Sequence, residues 1–168
     1  MKAILEQIII SLNDYSKTIT KSTSYKEVTE TLKTLFAQQG ITQGYCTAAH
    51  RNLLVHTDFY YDEGEWLFDL VWYKMKDDDD QIMTDIPLVL ESELSDKTLG
   101  GLKVDFDKLL VAPASTKVFV TTHYFLEEKC NYIQKAIRFF NGFPVGEILY
   151  LIIWDESEGD FQLKTFTK

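Results

Sequence analysis

The chain has 168 residues, of which 45% are hydrophobic, 26% are charged and 14% are aromatic, and its formal net charge is −9. This composition is typical of a folded globular domain and excludes a disordered chain. The length predicts a single domain over residues 1–168. The acidic balance counts against nonspecific binding of a nucleic-acid duplex, although it leaves room for a local basic groove.

Cysteine usage and hydropathy indicate the cellular compartment in which we expect the chain. Cys46 and Cys130 do not form a CxxC motif, so we expect two free thiols in a reducing cytosol. The N-terminal sequence MKAILEQIII is interrupted by Glu6 and Gln7 and does not resemble a signal peptide. No stretch approaches the ~18 consecutive apolar residues of a membrane span. We therefore expect a cytoplasmic protein without membrane association.

Two helices are predicted at the start of the chain. Apolar residues at helical spacing mark residues 4–15 as an amphipathic helix. A second helix is predicted over residues 24–40, because Ser24 and Glu27 have the spacing of a capping box and Gly40 fits a C-cap. These N-terminal helices together account for residues 1–40.

Strands are expected next. The alternation and apolar content predict strands over residues 43–50, 65–74 and 84–93, with residues 53–61 as strand or irregular structure, a turn at 62–64 and a solvated hairpin tip at Asp77 to Asp80. The paired glycines at 100 and 101 predict a loop. Asp105 is then expected to cap a short helix over residues 105–112, which Pro113 helps to end.

The C-terminal third repeats the alternation of strand and helix. The patterns predict a strand at 116–122, a long helix at 123–142, and strands at 147–155 and 160–166 around a turn at 158 and 159. The complete order is two helices, about three strands, a helix, a strand, a helix and two strands. This order predicts a mixed α/β domain in which helices flank the sheet.

An aspartate interrupts the most apolar predicted strand, 65-EWLFDLVWY-73. Both faces of this strand are apolar apart from Asp69, so we expect a central strand covered on both sides. Alternation places Asp69 on the face of Leu67, Val71 and Tyr73. A carboxylate in such dry surroundings is costly unless it is paired, hydrogen-bonded or bound to a metal.

Two glutamates end the next predicted strand, 86-IPLVLESEL-94. Glu91 and Glu93 share a face, with side chains ~7 Å apart along the strand. A hairpin centred near residues 78–80 would bring Asp69 close to Glu91. Carboxylates at that distance repel and raise each other's pKa. A hard divalent cation such as Mg²⁺, Mn²⁺ or Ca²⁺ would relieve this repulsion.

An aspartate late in one strand, followed by Glu-x-Lys or a variant at the end of the next, resembles the signature of the PD-(D/E)XK nuclease superfamily, which has the restriction-endonuclease-like fold. That fold has a core of helix, three strands, helix and strand, αβββαβ, and residues 24–121 follow this order. The resemblance implies a nuclease-like core over about 24–168. It also implies metal-dependent hydrolysis of nucleic-acid phosphodiesters, with DNA as the expected substrate.

The resemblance carries roles to individual residues. Asp69 and Glu91 would bind Mg²⁺ or Mn²⁺. In the family the last position of the motif is usually a lysine, which orients the attacking water. Glu93 occupies that position here and would orient the water. Lys108 on the following helix is the candidate to take the place of the missing lysine. A glutamate of the second helix, at position 27 or 30, would complete the site. Dimerisation to embrace a duplex is left open.

Two rival interpretations stay open. One is a catalytically inactive protein that keeps the nuclease fold as a protein-interaction module, which the charge of −9 and the missing motif lysine favour. The other is an α/β domain in which the acids are structural. In that case Asp69 pairs with a lysine or arginine, and Lys108 is a solvent-facing side chain neutralised by Asp105 and Asp107.

Overall fold

The computed structural model of the chain describes residues 1–49, 67–76 and 82–168. Within these ranges the chain forms four helices and one six-stranded sheet. The helices are α1 (Lys2–Ser16), α2 (Tyr25–Thr42), α3 (Leu99–Val111) and α4 (Leu126–Phe139). The strands are β1 (Cys46–Ala49), β2 (Leu70–Met75), β3 (Met83–Glu93), β4 (Lys117–Thr122), β5 (Ile148–Asp155) and β6 (Asp160–Thr167).

The sheet is mixed and follows the order of the chain. Strands β1, β2 and β3 are successive antiparallel neighbours, β3, β4 and β5 are parallel, and β6 returns antiparallel to β5. This confirms the predicted mixed α/β class with a helix-flanked sheet. From α2 to β4 the elements run helix, three strands, helix and strand.

Helices cover the sheet on both sides and create two cores. Trp72 and Leu90 face a core that contains the apolar stripes of α1 and α2. Val71 and Val89, their neighbours along the same strands, face a second core with α3 and α4. The central strands are therefore apolar on both faces, as a sheet between two helical layers requires.

The second helix begins where the sequence predicts but ends later. Ser24 Oγ accepts a hydrogen bond from Glu27 N at 3.2 Å, and Ser24 N donates to Glu27 Oε2 at 2.6 Å, which confirms the capping box. The C-cap assigned to Gly40 is wrong, because α2 continues to Thr42. A Cβ at position 40 would lie 2.6 Å from Trp72 Nε1. The glycine is needed for close packing of α2 on the sheet.

The predicted loop at residues 100 and 101 is wrong, because both glycines lie in α3. The helix begins after Thr98, whose Oγ1 accepts from Gly101 N at 3.4 Å. Asp105 therefore lies inside the helix and does not cap it. Lys108 lies in the last turn of α3, where a cation is favoured by the helix dipole.

The strand that carries Asp69 is shorter than predicted. Residues 67–69 form a bend and β2 begins at Leu70. Phe68 packs in the same core as Val71, three residues further on, so the predicted alternation does not extend back to Asp69. The expectations for residues 50, 53–61, 62–64, 65–66 and 77–80 lie outside the described residues.

The remaining elements agree with the sequence patterns apart from their bounds. The long helix begins at Leu126 and not at 123, and it follows Phe125, whose φ of 51° is left-handed. Gly159 has a φ of 71° in the turn between β5 and β6. Cys46 and Cys130 are free. Across the described ranges, none of the helices is long and apolar enough to cross a membrane.

Candidate functional site

Asp69 and Glu91 meet at one end of the β2–β3 pair. Leu70 pairs with Leu90 in the antiparallel register, and Asp69 precedes Leu70 as Glu91 follows Leu90. Their charges interact, since Asp69 contributes to the raised pKa of Glu91. The predicted proximity of these two acids is therefore present in the structure.

The carboxylate of Asp69 is held by three groups. Its Oδ2 accepts hydrogen bonds from Ser92 N at 2.8 Å and from Ser92 Oγ at 2.7 Å. Its Oδ1 lies 3.5 Å from Lys33 Nζ. The bend at residues 67–69 turns Asp69 towards the residue after Glu91 and towards α2. These contacts hold the Asp69 side chain at this strand end.

Glu91 is the most perturbed acid of this strand end. Its side chain is 3% exposed, and its Oε1 makes no hydrogen bond to the described residues, although it forms an ion pair with Lys108 at 3.4 Å. Burial raises the pKa of Glu91 to about 8; the negative charge of Asp69 adds to this effect, and Lys108 opposes it. The carboxyl is therefore largely protonated at neutral pH unless a further cation approaches it.

Lys108 reaches this site from the last turn of α3. Its Nζ lies 2.8 Å from Asp105 Oδ1 and 3.4 Å from Glu91 Oε1. Burial lowers the pKa of Lys108, but the hydrogen bond to Asp105 and the nearby Glu91 outweigh burial, and the net pKa is raised. Asp107 does not take part, because it accepts from the hydroxyl of Tyr132 at 3.0 Å. Lys108 is thus a stable cation beside Glu91.

The Glu93 side chain accepts hydrogen bonds from the turn that follows β3. Its Oε1 accepts from Ser95 N at 2.8 Å, from Ser95 Oγ at 2.8 Å and from Asp96 N at 2.7 Å. This set of donors holds Glu93 in the turn. No described contact joins it to Asp69 or Glu91.

The glutamates proposed from the second helix also have local partners. Glu27 closes the capping box of α2. The Oε1 of Glu30 lies 3.8 Å from Lys26 Nζ in an exposed ion pair. No described contact brings either of them to Glu91.

Two buried lysines on helices were not predicted. Lys33 is 7% exposed and pairs with Asp69, and Lys129 is fully buried. Lys129 Nζ donates to Thr121 Oγ1 at 2.9 Å and to Thr122 O at 3.4 Å, and burial lowers its pKa. Both lysines lie on apolar helical stripes, at three or four residues from buried neighbours. That spacing is the signal in the sequence by which they could have been found.

The site has some features of a metal centre and lacks others. The described residues contain no group of three or more His, Cys, Asp or Glu side chains arranged around one ion. Glu91 Oε1, however, is a buried oxygen without a hydrogen bond beside a second acid, and this fits a cation. Asp69 and Glu91 are the residues that would hold it.

Comparison of this chain with protein-family models, with curated proteins and with solved structures finds no match. The strand end combines one acid that immediately precedes β2 and one acid of β3 with two lysines from opposite helical layers. Acids of this kind can hold a hard cation, and lysines can stabilise an anionic group such as a phosphate.

Proposed function

We propose that the chain is a divalent-metal-dependent nuclease that hydrolyses nucleic-acid phosphodiesters. The observation that carries the proposal is the buried Oε1 of Glu91, which lacks a hydrogen bond and faces the charge of Asp69. A buried acid in this position gains most from a hard cation. The element order from α2 to β4 supports the resemblance to the PD-(D/E)XK superfamily.

In this proposal Asp69 and Glu91 would hold Mg²⁺ or Mn²⁺. When bound, the ion would polarise a phosphoryl oxygen of the substrate and lower the pKa of the attacking water. Asp105 orients Lys108 through the 2.8 Å contact, so that the lysine faces the attacked phosphate and stabilises its growing negative charge. Lys108 takes the role that the motif gives to its last residue, because Glu93 is committed to the turn.

One observation favours a second function. Each acid already has a lysine partner, since Lys33 pairs with Asp69 and Lys108 with Glu91. Acids balanced by lysines in this way form a structural cluster that does not require a metal. In that case the chain is a catalytically inactive nuclease-fold protein that acts as a protein-interaction module.

Calorimetric titration of Mn²⁺ distinguishes the two functions. The wild type is expected to bind Mn²⁺, and Asp69→Asn and Glu91→Gln are expected to lose this binding. Asp85→Asn is the matched control, because Asp85 is a half-exposed acid at the other end of β3, paired with Lys74. Asp85→Asn should bind as the wild type does.

Cleavage assays complete the test. Plasmid DNA and single-stranded RNA are incubated with the wild type and the three variants in the presence of Mg²⁺. The proposal requires cleavage that is lost in Asp69→Asn and Glu91→Gln and kept in Asp85→Asn. Metal uptake is tested with and without an oligonucleotide. If the wild type neither binds metal nor cleaves nucleic acid, the nuclease proposal is overturned and the interaction module is favoured.

A further inference from the structure

A cavity of about 590 Å³ opens at the end of the sheet where β4 and β5 begin. It lies between the end of α3 and the segment that joins α4 to β5. Leu110, Pro113, Phe140 and Pro144 are among its apolar lining residues. Its volume is within the range of pockets that bind small molecules. Glu91 pairs in register with Phe119, two residues along β4 from Lys117, and neither Glu91 nor Asp69 lines the cavity, so the cavity is a neighbour of the proposed metal site and not part of it.

A buried ion pair lines this cavity. Lys117, the first residue of β4, pairs with Glu147, and their side chains are 3% and 11% exposed. The Lys117 ammonium also lies 4.8 Å from the centre of the Phe143 ring. Within the described part of the chain, Glu147 is the one polar partner of this ammonium. The pair therefore leaves other donor positions of the ammonium and acceptor positions of the carboxylate unused by the described residues.

Charges in such a place are costly unless their remaining hydrogen-bonding positions are satisfied. A lysine ammonium has three donors, and a carboxylate has several acceptor positions, so one mutual contact leaves most of them unused. Residues 110–112 at the end of α3 line the same cavity, where a helix leaves backbone carbonyls without intrahelical partners. The cavity thus has an apolar wall and a polar wall with both signs of charge.

We propose that this cavity binds a neutral planar ring that carries an adjacent hydrogen-bond acceptor and donor, such as a cyclic amide. The acceptor of the ring faces Lys117 Nζ and the donor faces the Glu147 carboxylate. The flat body packs against Phe140, Pro113 and Pro144. This ligand matches the polarity of each side of the cavity.

The ion pair selects against other ligands. An anion would meet the Glu147 carboxylate, and a cation would meet the Lys117 ammonium, so either would unbalance the pair. A purely apolar ligand would exclude water and leave the open hydrogen-bonding positions unsatisfied. A neutral ring with paired donor and acceptor avoids all three costs.

The surroundings of the cavity supply further apolar area. Val111 lines the cavity and is 68% exposed, and Val145, next to the lining residue Pro144, is 86% exposed. Large exposed apolar side chains around a concave site are typical of a binding site. A substituent on the ring could be covered by these side chains.

The probe for this proposal is 2-pyridone, a planar ring with adjacent N–H and C=O groups, and N-methyl-2-pyridone, which lacks the donor, is its control. Backbone amide signals of the wild type are recorded by nuclear magnetic resonance during titration. We expect saturable shifts at Ser115 and Gly142, which line the cavity, and binding of N-methyl-2-pyridone weaker by about tenfold or more. No saturable shift, or equal binding of the two probes, would overturn the proposal.

Two variants locate the site. Ser115 is exposed on the cavity wall, so Ser115→Trp should fill the space without disturbing the core and weaken 2-pyridone binding by about tenfold or more. The double variant Lys117→Met with Glu147→Leu should lose the preference for 2-pyridone over its N-methyl form. If the double variant does not fold, Ser115→Trp decides alone, and unchanged binding in it contradicts the proposal.

Discussion

Lys108 Nζ lies 3.4 Å from Glu91 Oε1, yet this cation does not bring the buried acid to its ordinary pKa. Burial and the charge of Asp69 outweigh it and raise the pKa of Glu91 to about 8. The lysine is also shared with Asp105, at 2.8 Å. A proton and a metal ion are therefore competitors for the same carboxyl group at neutral pH.

The stability of the protein should depend on pH through Glu91. Its folded pKa of about 8 lies above its ordinary value of 4.5, so the folded state binds more protons between these two values. The free energy of unfolding should fall as pH rises from 4.5 to 8, by at most about 1.4 kcal/mol per pH unit from this group. Glu91→Gln should remove this slope and be more stable than the wild type at pH 8. Urea unfolding of both proteins at pH 5 and pH 8 measures this pH dependence. An equal change in the free energy of unfolding between the two pH values in both proteins would contradict the prediction.

Metal uptake, if the proposed function is right, should release protons. At pH 7 the Glu91 carboxyl is largely protonated, so Mn²⁺ must displace close to one proton on binding. Titration calorimetry in two buffers of different ionisation enthalpy gives this number. Asp85→Asn should release as many protons as the wild type. Binding without proton release would show that Glu91 is not a ligand.

Lys108→Met should separate catalysis from metal binding. The variant keeps Asp69 and Glu91 but removes the cation that Asp105 orients, so the cleavage rate should fall by about 100-fold or more while Mn²⁺ binding is retained. Lys103→Met is the control, because Lys103 is an exposed lysine of the same helix. Equal cleavage rates in the two variants would remove Lys108 from the mechanism.

Lys129→Met should not destabilise the protein at neutral pH. Lys129 is fully buried and burial lowers its pKa, so the folded state disfavours the charged form. Replacement by an apolar side chain of similar length removes this cost together with the hydrogen bonds to Thr121 and Thr122, so the free energy of unfolding should rise by at most about 1 kcal/mol at pH 7. This advantage should shrink as pH rises towards the ordinary lysine pKa, since the wild type then loses the proton. Denaturant unfolding at pH 7 and pH 10 tests both statements, and a less stable variant at pH 7 would refute them.

Gly40→Ala should cost stability although alanine favours helices. The added Cβ would lie 2.6 Å from Thr47 Cγ2 and from Trp72 Nε1, which donates to Phe36 O at 3.0 Å. Overpacking of this kind costs about 1–3 kcal/mol, more than the ~1 kcal/mol gained in helix propensity. Gly100→Ala is the matched control, because a Cβ there meets only Thr98 Oγ1 at 3.4 Å, and it should be neutral or stabilising. Thermal unfolding of the two variants gives the comparison.

Local signals in the sequence were sufficient for most elements. The capping box at Ser24 and Glu27 was correct because both of its hydrogen bonds lie within four residues. Gly40 and Gly101 misled for one common reason. A glycine that allows close packing looks the same in a sequence as one that ends a helix, and a Cβ at Gly101 would lie 2.5 Å from Asp96.

The site could be predicted only in part. The hairpin spacing was enough to bring Asp69 near Glu91. The orientation of Asp69 depends on the bend at residues 67–69 and on Ser92, which no alternation rule describes. Lys33 and Lys129 contact residues that are distant in sequence or belong to another element. A local sequence pattern could therefore show that they lie on an apolar stripe but not which residues they contact.

The two helical layers pack on opposite faces of the sheet, and a lysine from each of them reaches the same strand end. Lys33 of α2 reaches Asp69 from one side, and Lys108 of α3 reaches Glu91 from the other. The two acids also interact electrostatically, since the charge of Asp69 raises the pKa of Glu91. These four side chains form a chain of interactions from one layer to the other. A proton or an ion gained here therefore changes the electrostatic forces on side chains of both helical layers at once.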